Sequence, residues 1–224
     1  MYTPKHFAES ETDSLLQLMS AAPLGTLIVN GESGFEANHI PFIHDLGDDG
    51  ACVLRAHIPR ANLLSELLRS PTPCLVIFNG PDGYISPSWY ATKQEHGRVV
   101  PTWNYSVAHV HGSVVVIDDP DWVLAQIHDL TERNEKSRPE PWAVSDAPDN
   151  YTRALLASLV GLEVSVSRIE GKTKASQNQP ERNKVSILGA MSEEQPDTAL
   201  SGLMRRVLDD SDSAQASGED AEES

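Results

Sequence analysis

Residues 80–112, GPDGYISPSWYATKQEHGRVVPTWNYSVAHVHG, decide how this chain is read. Two of its four tryptophans and three of its five tyrosines fall here, interleaved with hydroxyls, amides and a few cations. Apolar ring faces with sparse polar groups between them suit a flat, anionic, heteroaromatic ligand. The same composition also builds a Trp/Tyr-rich β core whose polar tips find backbone partners. Composition leaves both readings open.

Outward from this stretch the pattern is one of short strands. Leu15, Leu16, Leu18 and Met19 predict a short helix closed by Pro23; Leu24–Val29 and Phe35–Ile43 predict a hairpin around Asn30–Gly34. Ala51–His57 reads as a third strand that runs into a helix with Leu63, Leu64, Leu67 and Leu68 on one face. Cys74–Phe78 reads as a short apolar strand, and Asn79–Gly83 has the Gly, Pro and Asp of a tight turn. Val99–Ile117 predicts a long strand with Trp103, Tyr105, Val107, His109 and His111 on one face. Asp119 and Pro120 predict a helix start, with Val123, Ile127 and Leu130 aligned along it. A further helix over Tyr151–Val160 is expected to stop at Gly161, before a strand alternating Leu162, Val164 and Val166. Many short strands with few helices between them favour an antiparallel, mainly β fold with peripheral helices, in the α+β or β-barrel class.

The formal net charge is −16. Seven acids and no base lie in 209–224, which reads as an acidic disordered tail, preceded by a C-terminal helix within 191–208. The remainder is still acidic and would be repelled by a phosphate backbone, so direct DNA binding is disfavoured. No apolar run reaches membrane-spanning length, the start MYTPKHFAES lacks a signal-peptide pattern, and Cys52 and Cys74 show no metal-ligand spacing. These features predict a cytoplasmic protein with no membrane partner.

Longer words of sequence carry a resemblance. MYTPKHF at the start, PLGTLIVNG at 23–31, HIPF at 39–42, RAHIPRAN at 55–62, SPSWY at 86–90, VPTWNY at 100–105 and GKTKASQNQP at 171–180 occur in that order. Together they resemble the PaiB-like family of FMN-binding negative transcriptional regulators. The resemblance implies an FMN-binding split barrel of pyridoxamine-phosphate-oxidase-like type over residues 1–190, FMN as cofactor, a homodimer, and negative regulation of transcription. It also makes Ser86, Ser88, Trp89, Tyr90, Trp103, Asn104 and Tyr105 residues of either the cofactor pocket or the dimer interface.

No Gly-rich phosphate loop is present, so side chains and turn amides must hold a phosphate. Lys93 and Lys174 stand at strand ends, where a barrel rim presents cations. Arg60 and Asn62 stand where a strand opens into a helix, a junction suited to phosphate; the alternative for any one cation is a solvated surface charge. His39 and His57 end strands and could donate to a flavin, or be hydrogen-bonded structural histidines. Ser176 and Gln177, with Asn178, could read an isoalloxazine edge or simply build a turn. His109 and His111 share a strand face, but no third metal ligand is evident. With no nucleophile and base pair recognisable, catalysis would be redox chemistry on the flavin. Two other readings stay open: an FMN-dependent oxidoreductase acting on a small substrate, and a haem-binding barrel with His109 or His111 as axial ligand.

Overall fold

In the computed structural model, residues 1–31, 33–194 and 198–208 are described; the acidic segment 209–224 lies outside them. The chain is mainly β. After a two-residue strand β1 (Ala8–Glu9) and helix α1 (Thr12–Ala21) come β2 (Leu24–Gly31), β3 (Gly34–Pro41), β4 (Ile43–Leu46) and β5 (Cys52–Pro59). Then follow α2 (Leu64–Leu67), β6 (Thr72–Ile85), α3 (Lys93–His96), β7 (Thr102–Ile117), α4 (Pro120–Glu135), α5 (Asp149–Leu156), β8 (Leu159–Lys174) and α6 (Glu181–Glu194). Residues 199–208 form a last helix, α7. The strands hydrogen-bond in the order β3-β2-β6-β7-β8-β5-β4, with β1 also on β8. Every pairing with a resolved register is antiparallel.

The chain divides into two compact units. The first comprises 12–78 and 108–170. Its core is apolar, built from alternate residues of the strands: Leu27 and Val29 of β2, Leu54, Ala56 and Ile58 of β5, Val76 and Phe78 of β6, Ala108, Val110 and Val114 of β7, and Val160, Leu162 and Val164 of β8. Leu15, Leu16 and Met19 of α1 close it. The second unit comprises 1–11, 79–107 and the residues from 171 onward. Its core is smaller and gathers Ile85, Trp89 and Tyr90 with Ala175, Ile187 and Met191, and with Leu200, Leu203 and Met204 of α7.

Three local expectations are corrected. The tight turn expected at Asn79–Gly83 is absent, because β6 runs unbroken from Thr72 to Ile85. Neither Gly80 nor Gly83 has the positive φ that a turn glycine exploits. Gly83 is small for a different reason: a Cβ there would stand 2.6 Å from Leu200 of α7. Gly161, expected to stop a helix, lies inside β8, and α5 ends earlier, at Leu156. A Cβ at Gly161 would run into the Trp122 ring of α4. The leucine helix after β5 is one turn, with Leu64 and Leu68 buried but Leu63 69% exposed. The cap of α4 forms as read: Asp119 accepts from the backbone N–H of Asp121 and Trp122. Its inner face carries Val123 and, fully buried, Gln126.

Arg55 of β5 ties this first unit together, donating to Asp45 of β4 at 2.5 Å and to Asp129 of α4 at 2.7 Å. Burial pushes the Asp45 carboxyl up, but the hydrogen bond and charge of Arg55, with Arg133 beside it, outweigh that and leave it below its usual range. Burial pushes both thiols up, Cys74 to about 11.

Two outcomes follow. Gly161→Ala forces the α4 indole off β8 and should lower stability by about 1–3 kcal/mol in urea unfolding. Because Asp45 has a depressed pKa, its contribution is present at neutral pH and is lost as pH falls through its folded-state value. Asp45→Asn should therefore destabilise the protein at pH near 7, with the gap from wild type closing in acid, as read from unfolding midpoints across pH.

Candidate functional site

The residues singled out in the sequence fall into two groups, one in each unit. In the unit of 12–78 and 108–170, the four expected FMN contacts, His39, His57, Arg60 and Asn62, are engaged by neighbours. His39 Nδ1 lies 3.0 Å from Thr26 Oγ1, its cross-strand partner. His57 Nδ1 lies 2.7 Å from the buried Gln126 Oε1, an arrangement in which the imidazole N–H donates. Asn62 donates to Asn38 Oδ1 at 3.0 Å and accepts from the Leu64 amide at 3.0 Å. Arg60 forks onto Asp118 at 2.8 and 2.7 Å and donates to the carbonyls of Ala157 and Leu159. That pairing neutralises the guanidinium, and α2 after it has a single turn.

In the other unit the SPSWY and SQNQ segments are built into local structure. Ser86 caps the turn over Pro87–Trp89, accepting from the Ser88 amide at 3.2 Å, and Lys93 Nζ reaches Ser88 Oγ at 3.3 Å. Trp89 is buried and donates its indole N–H to Glu194 of α6 at 3.0 Å. Tyr90 is buried too, and burial raises its phenol. Outward-facing Trp103, 55% exposed, meets Tyr84 edge-on with ring centroids 6.3 Å apart, and Lys172 sits 5.2 Å above the Tyr105 ring. The Gln177 side chain folds back, accepting from the Ala175 amide and donating to the Thr173 carbonyl, both at 2.7 Å.

Asn104 points inward from β7 and is fully buried. It donates to Ser176 Oγ at 2.8 Å, while its own Oδ1, like the neighbouring Ser106 Oγ, is buried without a hydrogen-bond partner among the described residues. Ser176 holds φ at 62°, a left-handed conformation that costs a non-glycine residue about 1–3 kcal/mol. The turn closes when the Gln179 amide donates to the Ser176 carbonyl at 2.9 Å.

That turn forms one wall of a cleft of about 360 Å³ lined by Tyr90, Arg98, Lys174, Ser176, Asn178 and Arg182, among others. This volume lies within the ~300–1,000 Å³ range of small-molecule sites. The cleft brings Tyr90, Lys174 and Ser176 together, with Asn104 hydrogen-bonded to Ser176. Ser86, Ser88, Trp89, Lys93, Trp103, Tyr105 and Gln177 are not among its lining residues. It adds His96, Arg98 and Arg182, which the sequence reading missed although Arg98 lies in the opening stretch and Arg182 follows KASQNQP by two residues.

Lys174 is the telling member. Its ammonium donates to Thr102 Oγ1 and, at 2.8 Å, to the Trp103 carbonyl. Both partners are neutral, and burial, with Lys172 nearby, lowers its pKa. Arg182 pairs with Glu95 at 2.8 Å, whereas neither Lys174 nor Arg98 has a carboxylate partner among the described residues. Two uncompensated cations, hydroxyls, amides and a tyrosine ring in one cleft fit an anionic, hydroxyl-bearing aromatic ligand.

Comparison with known proteins identifies the family. Residues 1–168 match the family described as "Putative FMN-binding domain". The uncharacterized protein YKL070W of Saccharomyces cerevisiae is 37% identical over 159 residues, covering 62% of this chain and 94% of that protein. The protease synthase and sporulation protein PAI 2 of Bacillus subtilis is 26% identical over 195 residues, covering 87% of this chain and 91% of that protein. Among solved structures, the FAD and haem binding protein of Mycobacterium smegmatis has the same fold, with a TM-score of 0.57 at 20% identity over 81% of this chain and 79% of that one. The chain therefore belongs to this FMN-binding family, a mainly β split-barrel protein whose cofactor is FMN.

Proposed function

We propose that FMN is held with its phosphate in the Lys174–Arg98 cleft, and that the flavin-bound protein, as a cytoplasmic homodimer, is a negative regulator of transcription acting through a partner protein. The observation that carries the binding site is the half-buried ammonium of Lys174, bonded among the described residues to neutral oxygens, in a cleft it shares with Arg98, which has no carboxylate partner among them. A phosphate supplies the missing counter-charge. Lys174 and Arg98 would hold it, the Ser176 hydroxyl and the Asn178 amide would bond the ribityl chain, and the Tyr90 ring would close one side. When bound, the flavin supplies reversible one- and two-electron chemistry, and the protein supplies its orientation and electrostatics.

The regulatory half rests on the likeness to the Bacillus subtilis sporulation protein, together with charge. A net charge of −16 leaves the chain poorly suited to neutralise DNA phosphates, which favours an indirect route to gene control.

Lys174→Met should weaken FMN binding by roughly 10–100-fold, the loss of a charge-assisted hydrogen bond worth about 1.5–3 kcal/mol, and Arg98→Ala should act in the same direction. Lys136→Ala, in the other unit, should leave affinity unchanged; fluorescence titration of the apoprotein with FMN reads all three, and equal effects would remove Lys174 from the site. In gel shifts on the gene's own upstream region, only weak, salt-labile and sequence-indifferent retention is expected. A sequence-specific complex that survives raised salt would overturn the indirect route, and rapid flavin-dependent oxidation of a nicotinamide would point to an oxidoreductase instead.

A further inference from the structure

The sequence offered two histidines on one strand face and no third ligand. The fold supplies one. His109 and His111 are two apart on β7, so the pleat turns both the same way, and β8 is hydrogen-bonded alongside. Glu170 of β8 stands next to them. One ligand atom from each of the three lies within 4.8 Å of the others, and all three side chains are half-buried. We propose that His109, His111 and Glu170 form a binding site for a divalent transition metal of the zinc class.

The donor set is the first argument. Two imidazoles and one carboxylate are the three protein ligands of many catalytic zinc sites, and they leave one position open for water or a substrate atom. Geometry is the second. Ligands at about 2.0–2.1 Å from an ion stand about 3.4 Å from one another, a spacing that the three ligand atoms already approach. His111 Nε2 already lies 3.2 Å from Glu170 Oε2. Ser167 Oγ, also on β8, donates to the His111 carbonyl at 3.0 Å and fixes the backbone there.

The third argument is that the three groups already attract cationic charge, the Arg168 guanidinium among it. The Arg168 guanidinium lies 3.3 Å from His111 Nε2 and 3.6 Å from a Glu170 oxygen, a cation set against the would-be ligands. Its side chain is 58% exposed and can swing into water when an ion enters. In this arrangement Arg168 competes with the metal rather than supporting it. The three ligand residues lie in one unit, and none of them lines the FMN cleft, so the proposal stands or falls independently of the cofactor site proposed above.

The test uses the full chain, stripped of metal and titrated first with Co²⁺ alone and then with Zn²⁺. The expected result is one Co²⁺ per chain with the intense visible ligand-field absorption of four- or five-coordination, discharged by Zn²⁺. His109→Ala and Glu170→Gln should each weaken binding by more than the ~10–100-fold that loss of an outer-shell partner costs. Arg168→Ala should tighten it, a change of sign that a purely structural ion-pair cluster does not produce. No uptake, or a pale six-coordinate spectrum with affinity unchanged in the variants, would overturn the proposal by leaving the metal on exposed carboxylates. Should a variant fail to fold, the wild-type Co²⁺ spectrum decides alone.

Discussion

The hydrogen bond from Asn104 to Ser176 is the constraint on which the cleft beside Lys174 depends. It joins the inner face of β7 to the turn that leaves β8, and both residues are buried. Ser176 sits in a backbone conformation that a serine does not choose by itself, so something must hold it there. A neutral hydrogen bond contributes about 1 kcal/mol, comparable with the lower end of the strain it opposes, and the packing of Met204 against the same amide adds to it. Once Ser176 is fixed, the SQNQ turn and the position of Lys174 two residues earlier follow from chain continuity.

Charge explains why this cleft stands out. The chain is strongly acidic, and most of its basic side chains with resolved contacts face carboxylates: Arg55 on Asp45 and Asp129, Arg60 on Asp118, Arg182 on Glu95. In such a background, a half-buried lysine bonded only to neutral oxygens is a departure from the rule. Placing a cation in a low-dielectric pocket without a counter-charge is costly unless a ligand brings one. That imbalance is the kind of local frustration expected where function overrides stability.

Much of the fold was legible because it rests on local chemistry. The Asp119–Pro120 helix start, the β2–β3 hairpin and the alternation in β8 each need only a few adjacent residues. What was missed has a common cause. Gly83 and Gly161 are small so that Leu200 and Trp122 can approach, but a glycine kept for close approach reads like a glycine kept for a turn until its distant neighbour is known. The site behaved alike. SPSWY and KASQNQP were visible as words, yet the partners that give them meaning, Glu194 for Trp89 and Thr102 for Lys174, lie 105 and 72 residues away. Arg60 shows the converse: its position at a strand end suggested a free cation, and only the fold reveals Asp118 beside it.

The two cysteines carry a consequence for how such a protein can respond to its surroundings. With the Cys74 thiol pushed up to about 11 and Cys52 raised as well, both remain protonated at neutral pH. Peroxides and electrophiles react with thiolates, so neither sulfur is primed to become a sulfenic acid or a mixed disulfide. The thiols are therefore poor oxidant sensors, whereas a bound isoalloxazine ring offers a reversible couple that, unlike the sulfur ladder, leaves no covalent scar on the polypeptide.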